Sequence, residues 1–182
     1  MFVLVTGGSG SGKSAYAEER ILHFGDARRY YVATMQCHDE ETRARISRHR
    51  ALRGGKGFLT IERDLDLQGL SLPDPISGKT GSGEKVNVLL ECMSNLAANE
   101  MFDPHGAGAD ALWRIQLGID SLLKQCDNLV VVTNEIFSDG VTYSEETAAY
   151  QRLLGEINRF MAARADEVVK VVCSIPVVLR KR

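Results

Sequence analysis

The sequence lacks an excess of either charge: 22 basic against 24 acidic side chains leave a formal net charge of −2. So small an imbalance gives no global field that would draw the protein to nucleic acid or to an anionic membrane. It also lacks any apolar run near the roughly 18 residues of a membrane span. Met1-Phe2-Val3-Leu4-Val5 carries no basic segment ahead of its apolar residues, so the start does not read as a secretory signal. Paired cysteines are missing too. Cys37, Cys92, Cys126 and Cys173 are scattered without a C-x-x-C spacing, which indicates neither a zinc site nor a disulfide framework. Three of them lie beside apolar or strand-like stretches, which predicts buried free thiols and a reducing, cytoplasmic compartment. What remains, 44% hydrophobic and 25% charged residues, is ordinary for a globular protein. A chain of 182 residues is expected to form a single domain, 1–182, with a real core.

Against this plain background one stretch stands out. Val3-Leu4-Val5-Thr6 is a short apolar run; Gly7-Gly8-Ser9-Gly10-Ser11-Gly12 is a glycine-rich turn; Lys13-Ser14 opens a helical pattern. The spacing Gly7, four residues, Gly12-Lys13-Ser14 meets every required position of a phosphate-binding P-loop. Backbone N–H groups must approach phosphate oxygens closely there, and side chains on the turn would obstruct them. The following helix presents its N-terminus to the anion. In this reading Lys13 reaches the β/γ-phosphates and the Ser14 hydroxyl ligates Mg²⁺.

The rest of the chain reads as alternating strands and helices. Strands are expected at Phe2–Thr6, Arg29–Thr34, Phe58–Glu62, Val86–Leu90, Asn128–Thr133, and twice near the C-terminus, Val168–Cys173 and Val177–Leu179, separated by Pro176. The first two, joined by the helix after Lys13, suggest a right-handed βαβ unit. Helices are expected over Asn95–Phe102, along the stripe Leu112, Ile115, Ile119, Leu122, Leu123, and from Ser144 onward through Leu153, Leu154, Ile157, Phe160 and Met161. The last two strands read as a hairpin at one sheet edge. The Gly/Pro-rich segment 69–85 reads as a surface insertion. Its Gly78-Lys79-Thr80 is a decoy, since Pro73 stands where a second P-loop needs glycine.

Two further features bear on chemistry. Glu91 ends a buried strand, where acidic residues hold Mg²⁺ directly or through water. Residues 39–53 form a polar helical pattern with five arginines, Arg43, Arg45, Arg48, Arg50 and Arg53, around His49. Helical spacing places Arg45, His49 and Arg53 on one ridge. That pattern suits a solvated surface helix, and it equally suits a centre that neutralises phosphate charge. Of the other histidines, His23 and His105 lie away from it and His38 is the one rival. A P-loop alone leaves the reaction open. GTPase switches need an Asn-Lys-x-Asp that this chain lacks, and motors want a longer chain. Small-molecule phosphoryl transfer leads, with a kinase lacking a covalent intermediate and a non-catalytic nucleotide-binding module as alternatives.

The ordered set Val5-Thr6-Gly7-Gly8-Ser9-Gly10-Ser11-Gly12-Lys13-Ser14, Val32-Ala33-Thr34, Arg45-Ile46-x-x-His49-Arg50, Glu62, Leu89-Leu90-Glu91-Cys92, Val132-Thr133-Asn134-Glu135 and Glu156-Ile157-Asn158-Arg159 resembles the bifunctional adenosylcobinamide kinase/adenosylcobinamide-phosphate guanylyltransferase family of cobalamin biosynthesis. The resemblance spans nearly the whole chain. It implies an α/β RecA-like P-loop fold, with a mostly parallel sheet and an antiparallel C-terminal edge. It implies phosphorylation of adenosylcobinamide by ATP or GTP, then transfer of GMP from GTP through a guanylyl-histidine, His49 by position. The triphosphate would lie on Gly7, Gly8, Ser9, Gly10, Ser11, Gly12, Lys13 and Ser14. The nucleotide would also meet Thr34, Met35, Gln36, Arg50, Ala51, Leu52, Arg53, Glu62 and Glu91; by its chemistry Glu91 is either a Mg²⁺ ligand beside Ser14 or a contact to the ribose or base. The family implies a homotrimer with nucleotide near subunit boundaries. The chain departs from the family at Ile136–Thr142 and at Ser174-Ile175-Pro176, where the family usually has Val-Gly-x-Gly-Ile-Val-Pro and Gly-Ile-Pro. These departures are expected to bear on corrinoid contact and assembly more than on nucleotide binding.

Overall fold

The structure, a computed structural model, describes residues 1–36, 55–73, 85–137 and 143–182. The arginine-rich stretch with His49, the Gly78-Lys79-Thr80 decoy and most of the altered segment 136–142 lie outside the described residues. One sheet carries the strands β1 (Phe2–Gly7), β2 (Arg28–Ala33), β3 (Phe58–Glu62), β4 (Val86–Glu91), β5 (Asn128–Asn134), β6 (Glu167–Val172) and β7 (Ile175–Lys181). Their spatial order is β3-β2-β4-β5-β1-β6-β7. Neighbours are parallel except β6 and β7, which are antiparallel.

Burial on both faces explains why the central strands are continuous apolar runs rather than alternating ones. Val3, Val5, Leu89, Val130 and Val132 face α1 (Lys13–Leu22), which seals them with Ala17 and Ile21. Leu4, Val88, Leu90, Leu129 and Val131 face the opposite layer. That layer is built from α2 (Met93–Phe102), α3 (Ala111–Gln125) and α4 (Glu145–Arg164), through Met93, Leu96, Ile119, Leu122, Leu154, Ile157 and Met161. α4 begins where the sequence places it. The Ser144 hydroxyl accepts from the Thr147 backbone N–H at 3.3 Å, and Glu145 and Glu146 occupy the first turn. Such a cap contributes about 1 kcal/mol.

The order of strands departs from the simplest expectation. β1 and β2 are parallel, but β5 and β4 stand between them, so the first two strands do not form an adjacent βαβ unit. The insertion of β5 between the P-loop strand and the strand that ends in Glu91 is the RecA-like arrangement. At the other end, Pro176 lies inside β7, paired with Val171, and does not separate the strands. β7 is an edge, where a missing N–H on the open side costs no ladder bond. The reversal is made instead by Cys173 and Ser174, at φ 50° and 63°, a two-residue turn of the kind that suits the strand twist.

The 69–85 segment is not wholly a surface insertion. Leu70 and Leu72 are buried, and Gln125 holds this stretch by donating to the Leu70 carbonyl (2.9 Å) and accepting from the Leu72 N–H (2.8 Å). The thiols also divide: Cys126 is buried and Cys92 half-buried, while Cys173 is exposed in the hairpin turn.

Burial pushes the Cys126 thiol up from its ordinary value of 9.0 to about 12. A group whose folded value is raised contributes stability below its unfolded value and loses it as pH climbs toward the folded one. Each pH unit between those values corresponds to about 1.4 kcal/mol. Cys126→Ala is therefore expected to flatten the fall in stability between pH 9 and about 12. Denaturant titrations across that range check it; an alkaline slope identical to that of the unmodified protein contradicts it.

Candidate nucleotide site

The site sits at the C-terminal ends of β1, β4 and β5, where open α/β sheets place ligands. Gly12 makes the bend into α1 with φ 88°, in the left-handed region. A Cβ there would also lie 2.6 Å from the Ser174 hydroxyl. A Cβ on Gly7 would meet the Val171 carbonyl at 2.6 Å. Both glycines are thus required by conformation or close approach, as the motif demands. The loop closes with Ser11 N–H donating to the Gly8 carbonyl at 3.3 Å.

Lys13 is only 8% exposed, and its ammonium donates to the Gly8 carbonyl at 3.0 Å. Burial pushes it below the usual lysine range; the neighbouring Cys92 and Glu91 pull the other way. Burial likewise pushes the Cys92 thiol up, despite its contact with Ser94. The Ser14 hydroxyl donates to Glu91 Oε1, and the Tyr31 hydroxyl donates to Glu91 Oε2 at 3.0 Å. Ser14 and Glu91, both singled out in the sequence, are brought into contact across 77 residues. Tyr31 was not foreseen. Its signal lies in register: Tyr31 faces Leu89, two residues before Glu91 and on the same side of the sheet.

The other predicted contacts divide. Thr34 is fully buried, and its hydroxyl bridges both backbone groups of Cys92, donating to the carbonyl and accepting from the N–H at 2.8 Å. It therefore positions the strand end that carries Glu91. Gln36 donates to Asp103 Oδ2 at 2.9 Å, and Met35 is half-buried beside it. Glu62 ends β3 in the register line Glu62, Ala33, Glu91. Two strand spacings separate the acids, about 10 Å, and both point to the α1 face. Lys56, the first described cation after the His49 stretch, pairs with Glu18 of α1 at 2.5 Å.

The Ser174 segment, expected to bear mainly on corrinoid contact and assembly, also touches the phosphate loop: its N–H donates to the Ser11 carbonyl at 2.8 Å, and its side chain closes over Gly12. The hairpin turn therefore braces the phosphate loop. No local signal could have shown this, because the two segments lie at opposite ends of the chain.

The donor set can hold a triphosphate and a hard cation. It offers a backbone cradle at a helix N-terminus, one ammonium, one hydroxyl and one carboxylate. Ser14 and Glu91 supply oxygen ligands of the kind Mg²⁺ prefers. Among the described residues no helix is long and apolar enough to cross a membrane.

A family model described as cobinamide kinase / cobinamide phosphate guanyltransferase matches residues 3–179. The chain is 34% identical to the bifunctional adenosylcobalamin biosynthesis protein CobU of Escherichia coli K12, over 99% of this chain and 100% of that one. It is 32% identical to the protein of the same name from Salmonella typhimurium LT2, with the same coverage. In fold it is similar to an ATPase of the type III secretion system of pathogenic bacteria, with a TM-score of 0.54 at 12% identity. That match covers 93% of this chain and 50% of the ATPase. With a full-length family match laid over a formed phosphate site, the chain belongs to the cobinamide kinase/cobinamide phosphate guanyltransferase family and is a bifunctional enzyme of cobalamin biosynthesis.

Proposed function

We propose that one site on the single domain 1–182 performs both reactions, with the P-loop as shared anchor and the attacked phosphorus deciding the outcome. In the kinase reaction the cobinamide hydroxyl attacks the γ-phosphorus of ATP or GTP. In the transferase reaction His49 attacks the α-phosphorus of GTP, pyrophosphate leaves, and the cobinamide phosphate then displaces His49 to give adenosylcobinamide-GDP. A covalent intermediate allows two displacements in sequence at one centre. The observation that carries the reading is the cluster Lys13, Ser14, Glu91 and Tyr31 at the mouth of the loop.

The residues have separate duties. Lys13 and the loop N–H groups hold the β/γ end and stabilise charge that develops there. Ser14 and Glu91 hold Mg²⁺, which neutralises phosphate charge when bound; Tyr31 and Thr34 keep the Glu91 strand end in place. Arg50, Ala51, Leu52 and Arg53, with Met35, Gln36 and Glu62, form the nucleotide's outer contacts. The working unit is a homotrimer.

The test uses GTP labelled at the α-phosphate, GTP or ATP labelled at the γ-phosphate, and Mg²⁺. The α-label is expected on the protein in an acid-labile, base-stable bond, and the γ-label on adenosylcobinamide. Light scattering of the same sample reads the trimer. Absence of a protein label in Mg²⁺-replete buffer would refute the covalent route.

A further inference from the structure

Beside the P-loop, on the α4 side, a groove of about 470 Å³ opens between Ser9, Glu135, Tyr143, Thr147, Tyr150 and Gln151. None of these except Ser9 is required to hold a triphosphate. Ser9 adjoins Gly8, whose carbonyl receives Lys13. Because that lysine serves the β/γ-phosphates, the groove opens at the γ end of the nucleotide. Resting on the functional reading above, we infer that the groove receives the hydroxyl-bearing arm of the corrinoid and that Glu135 is the base that accepts the hydroxyl proton in the kinase reaction.

Glu135 is fixed to the phosphate loop itself. Its N–H donates to the Gly7 carbonyl at 3.0 Å, continuing the β1–β5 ladder by one residue. Its carboxylate accepts from the Phe137 N–H at 3.2 Å and lies 3.5 Å from the Lys170 ammonium. Among the described residues that line the groove it is the one carboxylate. Tyr150 does not compete as a base. Burial pushes its phenol up to about 12, and its hydroxyl donates to the Ser94 carbonyl at 3.0 Å. Gln151 is likewise fixed, donating to the Ile136 carbonyl at 3.0 Å. The walls are therefore held in place before substrate arrives. A corrin macrocycle is far too large for this volume, so only the arm enters. Tyr143, which lines the groove and is 38% exposed, offers apolar surface for the ring.

The step balances. The arm's oxygen forms a bond to the γ-phosphorus as the bond from that phosphorus to the β,γ-bridging oxygen breaks. The nucleoside diphosphate leaves with the electron pair. The hydroxyl proton passes to a Glu135 oxygen and then to water, since that side chain is 25% exposed.

The experiment measures two half-reactions on the full chain. One is phosphorylation of adenosylcobinamide; the other is GMP transfer onto pre-made cobinamide phosphate. Glu135→Gln is expected to lower kinase kcat by about 100-fold or more, the scale of a general base. Nucleotide Kd and GMP transfer should stay within about threefold, because neither needs that base. Glu135→Asp should recover part of the kinase rate, and Tyr143→Ala should raise KM for cobinamide by about tenfold at unchanged nucleotide Kd. Kinase activity of Glu135→Gln near the unmodified level overturns the inference, as does an equal fall in both half-reactions together with nucleotide affinity. An unmodified protein that phosphorylates no cobinamide defeats the functional reading and this one with it.

Discussion

Lys13→Met is expected to lower both half-reactions by about 10³-fold, the scale of removing one preorganised donor from a developing negative charge. It is also expected to leave the fold no less stable. The second expectation follows from burial. Lys13 is 8% exposed, and desolvation holds its ammonium below the usual lysine range. A lysine depressed on folding makes the charged folded state less favourable. Stability therefore rises with pH from that lowered value up to the unfolded one near 10.5. Methionine keeps the stem and removes the charge, so the apo protein should lose that rising limb. Denaturant midpoints at several pH values, read beside both activities, check the pair of effects. Parallel loss of stability and activity would show Lys13 to be a structural residue. Nucleotide affinity has the opposite pH sense, since a bound triphosphate favours the ammonium, and should weaken as pH rises through the apo value.

His49→Ala is expected to separate the two activities. GMP transfer and the protein-bound label should fall by at least about 10³-fold, as when a covalent nucleophile is removed, while cobinamide phosphorylation stays within a few-fold. The four-residue spacing of Arg45, His49 and Arg53 in the sequence motivates this, together with the Arg-Ile-x-x-His-Arg order of the family resemblance. Mass spectrometry of trypsin fragments after incubation with GTP locates the label. Its persistence in His49→Ala, or its appearance on His38, removes His49 from the mechanism. In the proposed scheme Lys13 serves both reactions and His49 one, so the two substitutions together distinguish an anchor from a nucleophile.

The parts of this site legible in the sequence are those whose chemistry is local. A P-loop is a contiguous rule about glycine, lysine and serine, and the fold realises it with Gly12 at φ 88° and Lys13 turned back onto the loop. Glu91 was legible because a carboxylate at the end of an apolar strand has few other reasons to be there. Strand order was less so. Periodicity marks β1 and β2 but says nothing about β4 and β5 entering between them. Thr34 shows a different limit. The resemblance gives it a place at the nucleotide, and the fold gives its hydroxyl a further task that no local pattern announces, holding both backbone groups of Cys92. Tyr150 and Gln151 went unnoticed because α4 reads as an apolar stripe through Leu154, Ile157 and Met161. A helix stripe reveals the face turned to the core and not the turn that lines a groove.

The hairpin formed by β6 and β7 has a consequence for how this enzyme can be controlled. Its outer strand shows Ile175, Val177, Val178 and Leu179 to solvent, while its turn, through Ser174, grips the carbonyl of Ser11. The sheet's free margin and the phosphate cradle thus share one lever. A ligand on that margin that holds the turn differently in the free and triphosphate-bound states would change triphosphate affinity, and a bound triphosphate would change that ligand's affinity by the same factor.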